Sequence, residues 1–198
     1  MTDVFLAEQI NGLLQSLQLP ALAPFLADWP RTYESRAVAA ADLPVLRWLP
    51  QIGGDRAAFA PDVVTAVCRA APSMAWRQTY SVREADGAFL NNYGWSEILG
   101  ASGPLIAKRI ACGLLLLGPS THYPRHRHEA EEIYLPLSGT AAWQQGGCVW
   151  RDRAPGTLIH HASDEPHAMQ TGADPMLALY VWRGANVTQK ARLDGFAG

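Results

Sequence analysis

His126-Arg127-His128-Glu129-Ala130-Glu131-Glu132-Ile133-Tyr134, running on through Leu135-Pro136-Leu137-Ser138-Gly139, is the stretch on which the reading of this chain turns. On a strand, side chains alternate between faces, so His126 and His128 share one face. Glu132 and Tyr134 form a second same-face pair on the strand that follows a short bend. Two imidazoles and a carboxylate from neighbouring strands, turned into a barrel, leave coordination positions open. That is the form of a catalytic metal site, since structural sites are closed by their own ligands. His167, in Glu165-Pro166-His167, is the expected third imidazole, delivered by a turn after a strand. All six histidines lie between positions 122 and 167. His122, His160 and His161 are read as solvated or hydrogen-bonding side chains rather than ligands.

Outward from this stretch the texture is that of short strands. Ala75 to Tyr80, Ile106 to Leu117, Glu132 to Leu137, Gly139 to Gln144, Cys148 to Arg151, Thr157 to His161 and Met176 to Trp182 are apolar or alternating runs. Gly118-Pro119, Ser138-Gly139, Gly146-Gly147 and Pro155-Gly156 separate them. Many short strands with regular turn signals predict a mainly β sandwich or barrel of antiparallel strands. The first third reads differently. Phe5, Leu6, Ile10, Leu13, Leu14 and Leu17 recur at helical spacing, which predicts an amphipathic helix over 3–18. A helical stretch over 21–40 is interrupted by Pro24 and Pro30, and a helix over 55–70 is expected to start late because of Pro61. The expected organisation is a helical region, 1–74, packed on a barrel, 75–198.

Composition narrows the partners. The chain has 198 residues, with 16 Lys and Arg against 18 Asp and Glu, so no basic excess draws it to a phosphate backbone. A hydrophobic share of 48% against 17% charged excludes intrinsic disorder. Three cysteines are too few and too scattered for a disulfide framework, and Cys112 and Cys148 read as buried thiols. The longest apolar stretch, Ile110 to Leu117, is too short to span a bilayer, and the N-terminus lacks the pattern of a signal peptide. The expectation is a soluble cytoplasmic protein that binds neither nucleic acid nor membrane. The apolar helices are packing elements and a candidate homodimer surface. Arg125 and Arg127 read as a solvated face.

His126-x-His128-x3-Glu132-x6-Gly139 resembles the first cupin motif in its ligand and glycine positions, and Pro166-His167 resembles the end of the second. The leading glycine of the first motif is displaced, with Gly118 eight residues before His126, and Ala162-Ser163-Asp164 replaces the usual lead-in of the second. The resemblance covers residues 105–183. It implies a cupin (double-stranded β-helix, jelly-roll) barrel with an N-terminal helical extension. It further implies one divalent transition metal (Fe, Zn, Mn, Co or Ni) held by His126, His128, Glu132 and His167. Members differ in whether the first histidine binds closely.

A narrower resemblance is to the bacterial cupin lyases of dimethylsulfoniopropionate (DMSP), of the DddQ, DddL and DddW type. Tyr134, Tyr123 and Trp182 stand where those enzymes carry two tyrosines and a tryptophan around the same metal set. The implied reaction is a β-elimination that splits DMSP into dimethyl sulfide and acrylate, with Tyr134 or Tyr123 as base. A tyrosine with an ordinary pKa of about 10 can serve, because a nearby cation favours its phenolate. Trp182 and Tyr180 share a parity on the last strand and supply an aromatic wall for the sulfonium. The alternatives are a related cupin acting on another small carboxylate, a cupin dioxygenase, and a non-enzymatic sensing cupin.

Overall fold

Leu6, Ala7, Ile10 and Leu14 fall at helical spacing and form the buried face of α1 (Thr2–Ser16) in the computed structural model, which describes residues 2–194. Phe5, counted above on that face, is 57% exposed and points away from it. The stretch over 21–40 is helical only at its start, in a 3-10 turn (Pro20–Leu22) running into α2 (Ala23–Asp28), where Pro24 sits in the first turn and its missing N–H leaves no hydrogen bond unmade. After α3 (Leu49–Gly53), α4 (Pro61–Ala70) starts at its proline as expected and buries Val63, Val64, Val67 and Ala70. Asp86 caps α5 (Gly87–Asn91) by accepting the Phe89 N–H.

The strands are, in chain order, β1 (Glu34–Ser35), β2 (Tyr93–Gly100), β3 (Leu105–Ile106), β4 (Ile110–Leu117), β5 (His122–Arg127) and β6 (Glu131–Ser138). They continue with β7 (Ala141–Gln145), β8 (Arg151–Arg153), β9 (Ile159–His161), β10 (His167–Thr171), β11 (Met176–Arg183) and β12 (Arg192–Leu193). They form two sheets, ordered β1-β3-β2-β4-β11-β6-β9 and β12-β5-β10-β7-β8. All pairings are antiparallel except β2 with β3. Two mostly antiparallel sheets closing on each other give the mainly β barrel that the strand pattern predicts.

Several strands depart from their expected places. Ala75 to Tyr80 is not a strand; Ala75 and Arg77 make single bridges to Ala41 and Trp95. Ile106 to Leu117 splits at Ala107-Lys108-Arg109 into β3 and β4. The run expected at Cys148 to Arg151 belongs to a loop up to Trp150, and β8 begins only at Arg151. Cys148 is therefore exposed, which corrects its reading as a buried thiol, whereas Cys112 is buried. β2 carries no clear sequence signal, because Gly94, Ser96 and Glu97 break its apolar alternation.

The helices pack on the outer face of the larger sheet: α1 meets β2, α2 meets β11, and α4 meets β6. Leu135, Leu179 and Val181 point outward into this aliphatic layer with Ile10, Phe25 and Val67. The inner faces enclose a second core rich in aromatic rings, including Tyr93, Tyr123, Tyr134, Trp143 and Tyr180. Gly139, the glycine of the first motif, turns the chain out of β6 with φ +77°. A side chain there would meet the Pro175 carbonyl oxygen at 2.0 Å, so only glycine fits.

Candidate metal centre and active site

Two sheets and the loop between them bring three of the four expected ligands together. His126 lies on β5, His128 follows in the turn to β6, and Glu132 is near the start of β6 in the other sheet. His167 opens β10, beside β5, with its Cα in register with that of His126. One ligand atom from each of His128, Glu132 and His167 lies within 4.8 Å of the other two, and all three residues are buried. His126, also buried, does not join this close group; its ring stacks 4.0 Å from Tyr123 and meets His167 edge-on at 4.1 Å.

Each of these histidines is fixed in the same way. Nδ1 of His126, His128 and His167 donates to the carbonyl oxygen of Pro124, Ala130 and Glu165 respectively, each at 2.9 Å. A carbonyl only accepts, so the proton sits on Nδ1 and Nε2 is left for the site, as in metal-binding histidines generally. His128 Nε2 stands 3.0 Å from Glu132 Oε2. His167 Nε2 lies 3.2 Å from the same oxygen, without hydrogen-bond alignment, and has no other partner. Two imidazole nitrogens and a carboxylate suit a divalent transition metal, and the orphaned nitrogen of His167 is what an ion would satisfy.

The electrostatics follow from burial and pairing. Burial disfavours charge on Glu132, but His128 and His167 outweigh it and hold the carboxyl well below the usual range. Burial likewise works against protonating His128, and Glu132 overcomes it and raises the imidazole. For His126 burial wins, reinforced by His167, and its pKa falls well below the usual value. Tyr134 is pushed well above 10 by burial and then by the charge of Glu132. Burial and then the neighbouring Tyr80 do the same to Tyr123. Both phenols therefore keep their protons in the metal-free protein.

A pocket of about 350 Å³ opens onto this centre, lined by Tyr123, His126, Glu132, Tyr134, Tyr180 and Trp182 among others. Tyr180 pairs in register with Tyr134, and Trp182 with Glu132, so the parity read from the sequence sets both into the barrel. Trp182 does more than wall the pocket. Its indole N–H donates to Glu132 Oε1 and its ring stacks on His128 at 4.1 Å.

The remaining expectations divide. His160 hydrogen-bonds to Glu131 at 2.8 Å, and His122 is exposed. His161 is neither solvated nor hydrogen-bonded: it is fully buried, stacked on His167, and without a partner for either ring nitrogen. Burial, helped by His167, pushes its pKa down to about 3, so the ring is neutral at pH 7. The signal was present in the doublet His160-His161, because alternation sends one of two adjacent strand residues inward. Arg125 and Arg127 are not a free solvated face; both clamp the carboxylate of Asp194. Among the described residues no helix is long and apolar enough to cross a membrane.

The dimethylsulfoniopropionate lyase family model matches residues 21–178. The chain belongs to that family. The family resemblance extends to two curated relatives. One is dimethylsulfoniopropionate lyase DddQ of Ruegeria pomeroyi, 34% identical over 109 residues, which are 55% of this chain and 54% of that protein. The other is a putative dimethylsulfoniopropionate lyase DddL of Cereibacter sphaeroides, 35% identical over 122 residues, or 61% of this chain and 50% of that protein. These matches span about half the length of either relative. The likeness in three dimensions is wider. The crystal structure of DMSP lyase DddQ from Ruegeria pomeroyi DSS-3 superposes with a TM-score of 0.87 at 26% identity, covering 100% of this chain and 98% of that one. A chain from the crystal structures of the DMSP lyases RdDddP and RnDddQII gives 0.84 at 30% identity, covering 98% and 97%.

Proposed function

We propose that this chain is a metal-dependent lyase that cleaves DMSP to dimethyl sulfide and acrylate. The observation that carries the reading is a buried His128–Glu132–His167 group whose Glu132 lines one pocket with His126, Tyr134 and Tyr123, in a member of the DMSP lyase family. His128, Glu132 and His167 would hold the ion, with His126 beside them as a further ligand; the donor set suits Fe, Zn, Mn, Co or Ni. When bound, the ion supplies Lewis acidity, drawing charge from the substrate carboxylate and favouring a phenolate nearby.

The rest is the work of the chain. Tyr134 Oη, as the phenolate left once its own proton has gone to solvent, takes the proton from the carbon next to the substrate carboxylate. The electrons of that C–H bond form the new double bond, the bond from the β-carbon to sulfur breaks, and sulfur leaves with its pair. Dimethyl sulfide departs neutral, so it needs no acid. Tyr180 and Trp182 offer ring faces to the sulfonium. Tyr123, stacked on His126, is the alternative base. The barrel buries Glu132, Tyr123, Tyr134 and Tyr180, which strengthens the charge interactions among them.

The test is headspace gas chromatography of metal-reconstituted protein with DMSP in the absence of oxygen, alongside Tyr134→Phe. Dimethyl sulfide from the wild type that is lost in the variant is the expected result. No sulfide with any of the five metals would remove DMSP as substrate. Turnover that survives in Tyr134→Phe would move the base to Tyr123.

A further inference from the structure

His161 is an inward-facing imidazole of this barrel to which neither the metal set nor the elimination gives a task. It ends β9, is wholly buried, and stands across from Glu132 in the pairing of β9 with β6. Its ring lies flat on that of His167, with centroids 4.0 Å apart and planes 15° from parallel. Tyr134 meets it edge-on at 6.1 Å. Yet neither ring nitrogen has a hydrogen-bond partner, and Nδ1 stands 3.7 Å from Glu165 Oε2, just out of reach.

A buried polar group left unpaired costs about 1–3 kcal/mol. Phenylalanine would make the same stack on His167 without that cost, so packing alone gives no reason for an imidazole. The residue also differs from the three anchored histidines. Nδ1 of His126, His128 and His167 is tied to a backbone carbonyl, whereas His161 has no such tie. It is thus not built as one more ligand of the same kind. Glu165, the carboxylate beside its Nδ1, is a residue of the turn that carries His167, and accepts the Ala162 N–H. A small rotation would bring that carboxylate onto Nδ1–H and fix the tautomer with Nε2 unprotonated.

We propose that His161 is a positioning residue of the metal centre. Glu165 orients it through Nδ1–H, and Nε2 accepts a hydrogen bond from water or a protonated group held at the His128–Glu132–His167 site. The inference rests on the metal-site reading given above. It extends the centre by one layer, from residues that bind an ion to a pair that orders what the ion holds, a kind of support that commonly changes metal affinity 10- to 100-fold.

The experiment compares metal-free wild type with His161→Phe, which keeps ring and stack, and His161→Gln, which keeps a polar side-chain end. Each is titrated with Co(II), read by visible absorption and by competition with a chromogenic chelator, and each metal-free form is melted. His161→Phe is expected to bind Co(II) about tenfold more weakly, with shifted absorption bands. Its metal-free form should melt no lower than wild type, because an unpaired buried group has been removed. His161→Gln should recover most of the affinity. Wild-type affinity and spectrum in His161→Phe would overturn the proposal. So would equal losses in both variants together with lower melting, which would make His161 a packing residue. A wild type that takes up no Co(II) would overturn the metal-site reading and this inference with it.

Discussion

Strand β6 has two faces, and they do different work. Ile133, Leu135 and Leu137 point outward and are sealed under the helices with Leu179, Val181 and Phe25. Glu132 and Tyr134 point inward, to histidines, aromatic rings and an open pocket. β11 repeats the division, with Leu177, Leu179 and Val181 outside and Ala178 and Tyr180 inside. The outer face is uniform and aliphatic, and its hydrogen-bonding demands are met by the sheet itself. The inner face holds buried polar groups whose cost the outer layer must offset. In this barrel the apolar packing under the helices and the candidate site are carried by alternate residues of the same strands.

That division is most sharply tested by substitutions one residue apart in parity. Tyr134→Phe, on the inner face, is expected to lower the lyase rate by about 10²- to 10⁴-fold, the usual worth of a positioned acid or base. Its unfolding midpoint in urea should stay close to that of wild type. Leu179→Ala, on the outer face, is expected to cost about 2–5 kcal/mol in equilibrium unfolding. The rate per folded molecule should hardly change. If Leu179→Ala lost its rate while still folded, or Tyr134→Phe unfolded, the division of labour would be broken.

A third substitution probes the inner face where it has no side chain. Gly113 on β4 stands between Glu97 and Tyr180, and a Cβ there would lie 2.2 Å from the Ser96 carbonyl oxygen and 2.6 Å from Tyr180 Oη. Gly113→Ala should therefore cost about 1–3 kcal/mol through overpacking. By displacing the Tyr180 ring it should also raise KM more than it lowers kcat, as steady-state kinetics would report. An unchanged KM would separate Tyr180 from substrate binding.

The smallest effect is expected at the rim. Glu131 is bound by His160 and Arg183, and Arg183 also reaches Asp28 of α2. Burial is the largest single influence and opposes its charge, but these partners together prevail and its pKa is lowered. A carboxyl depressed in the folded state adds stability above its unfolded pKa and loses it as pH falls through the folded value. Glu131→Gln should thus cost up to about 1 kcal/mol at pH 7, as for other partly exposed pairs. The difference from wild type should vanish in acid, well below pH 4.5. A difference that persisted there would belong to packing rather than charge.

Much of this was legible in the chain because alternation is strict where a strand has a dry face and a wet one. His128, Glu132, Tyr134 and Gly139 keep a spacing that only a strand, a bend and a tight turn can use, and Pro61 marks where α4 begins. Two kinds of feature stayed hidden. β2 was missed because its inner face carries Glu97 and its outer face Gly94 and Ser96, so neither looks apolar in sequence. His161 was misread because a histidine carries no mark of burial by itself. The doublet with His160 sends one ring inward, and Ile159, on the same parity, points to His161 as that one. The separation of His126 from the close three-residue group depends on ring placement, which spacing along the chain does not encode.

The inward charge of Glu132 has a consequence for how the barrel comes to be assembled. β6 is paired on both edges, with β11 and with β9, and a slip of one residue would exchange its two faces. Such a misthreaded strand would drive an ionised carboxylate among the leucines beneath α4 and leave Ile133 among the histidines. An error of that kind carries a penalty of several kcal/mol, enough to make it rare and short-lived. Glu132 would then act as a proofreader of strand alignment before any ion or substrate arrives. A redesign that replaced it with an apolar residue of equal size would lose a safeguard on folding fidelity along with a candidate ligand.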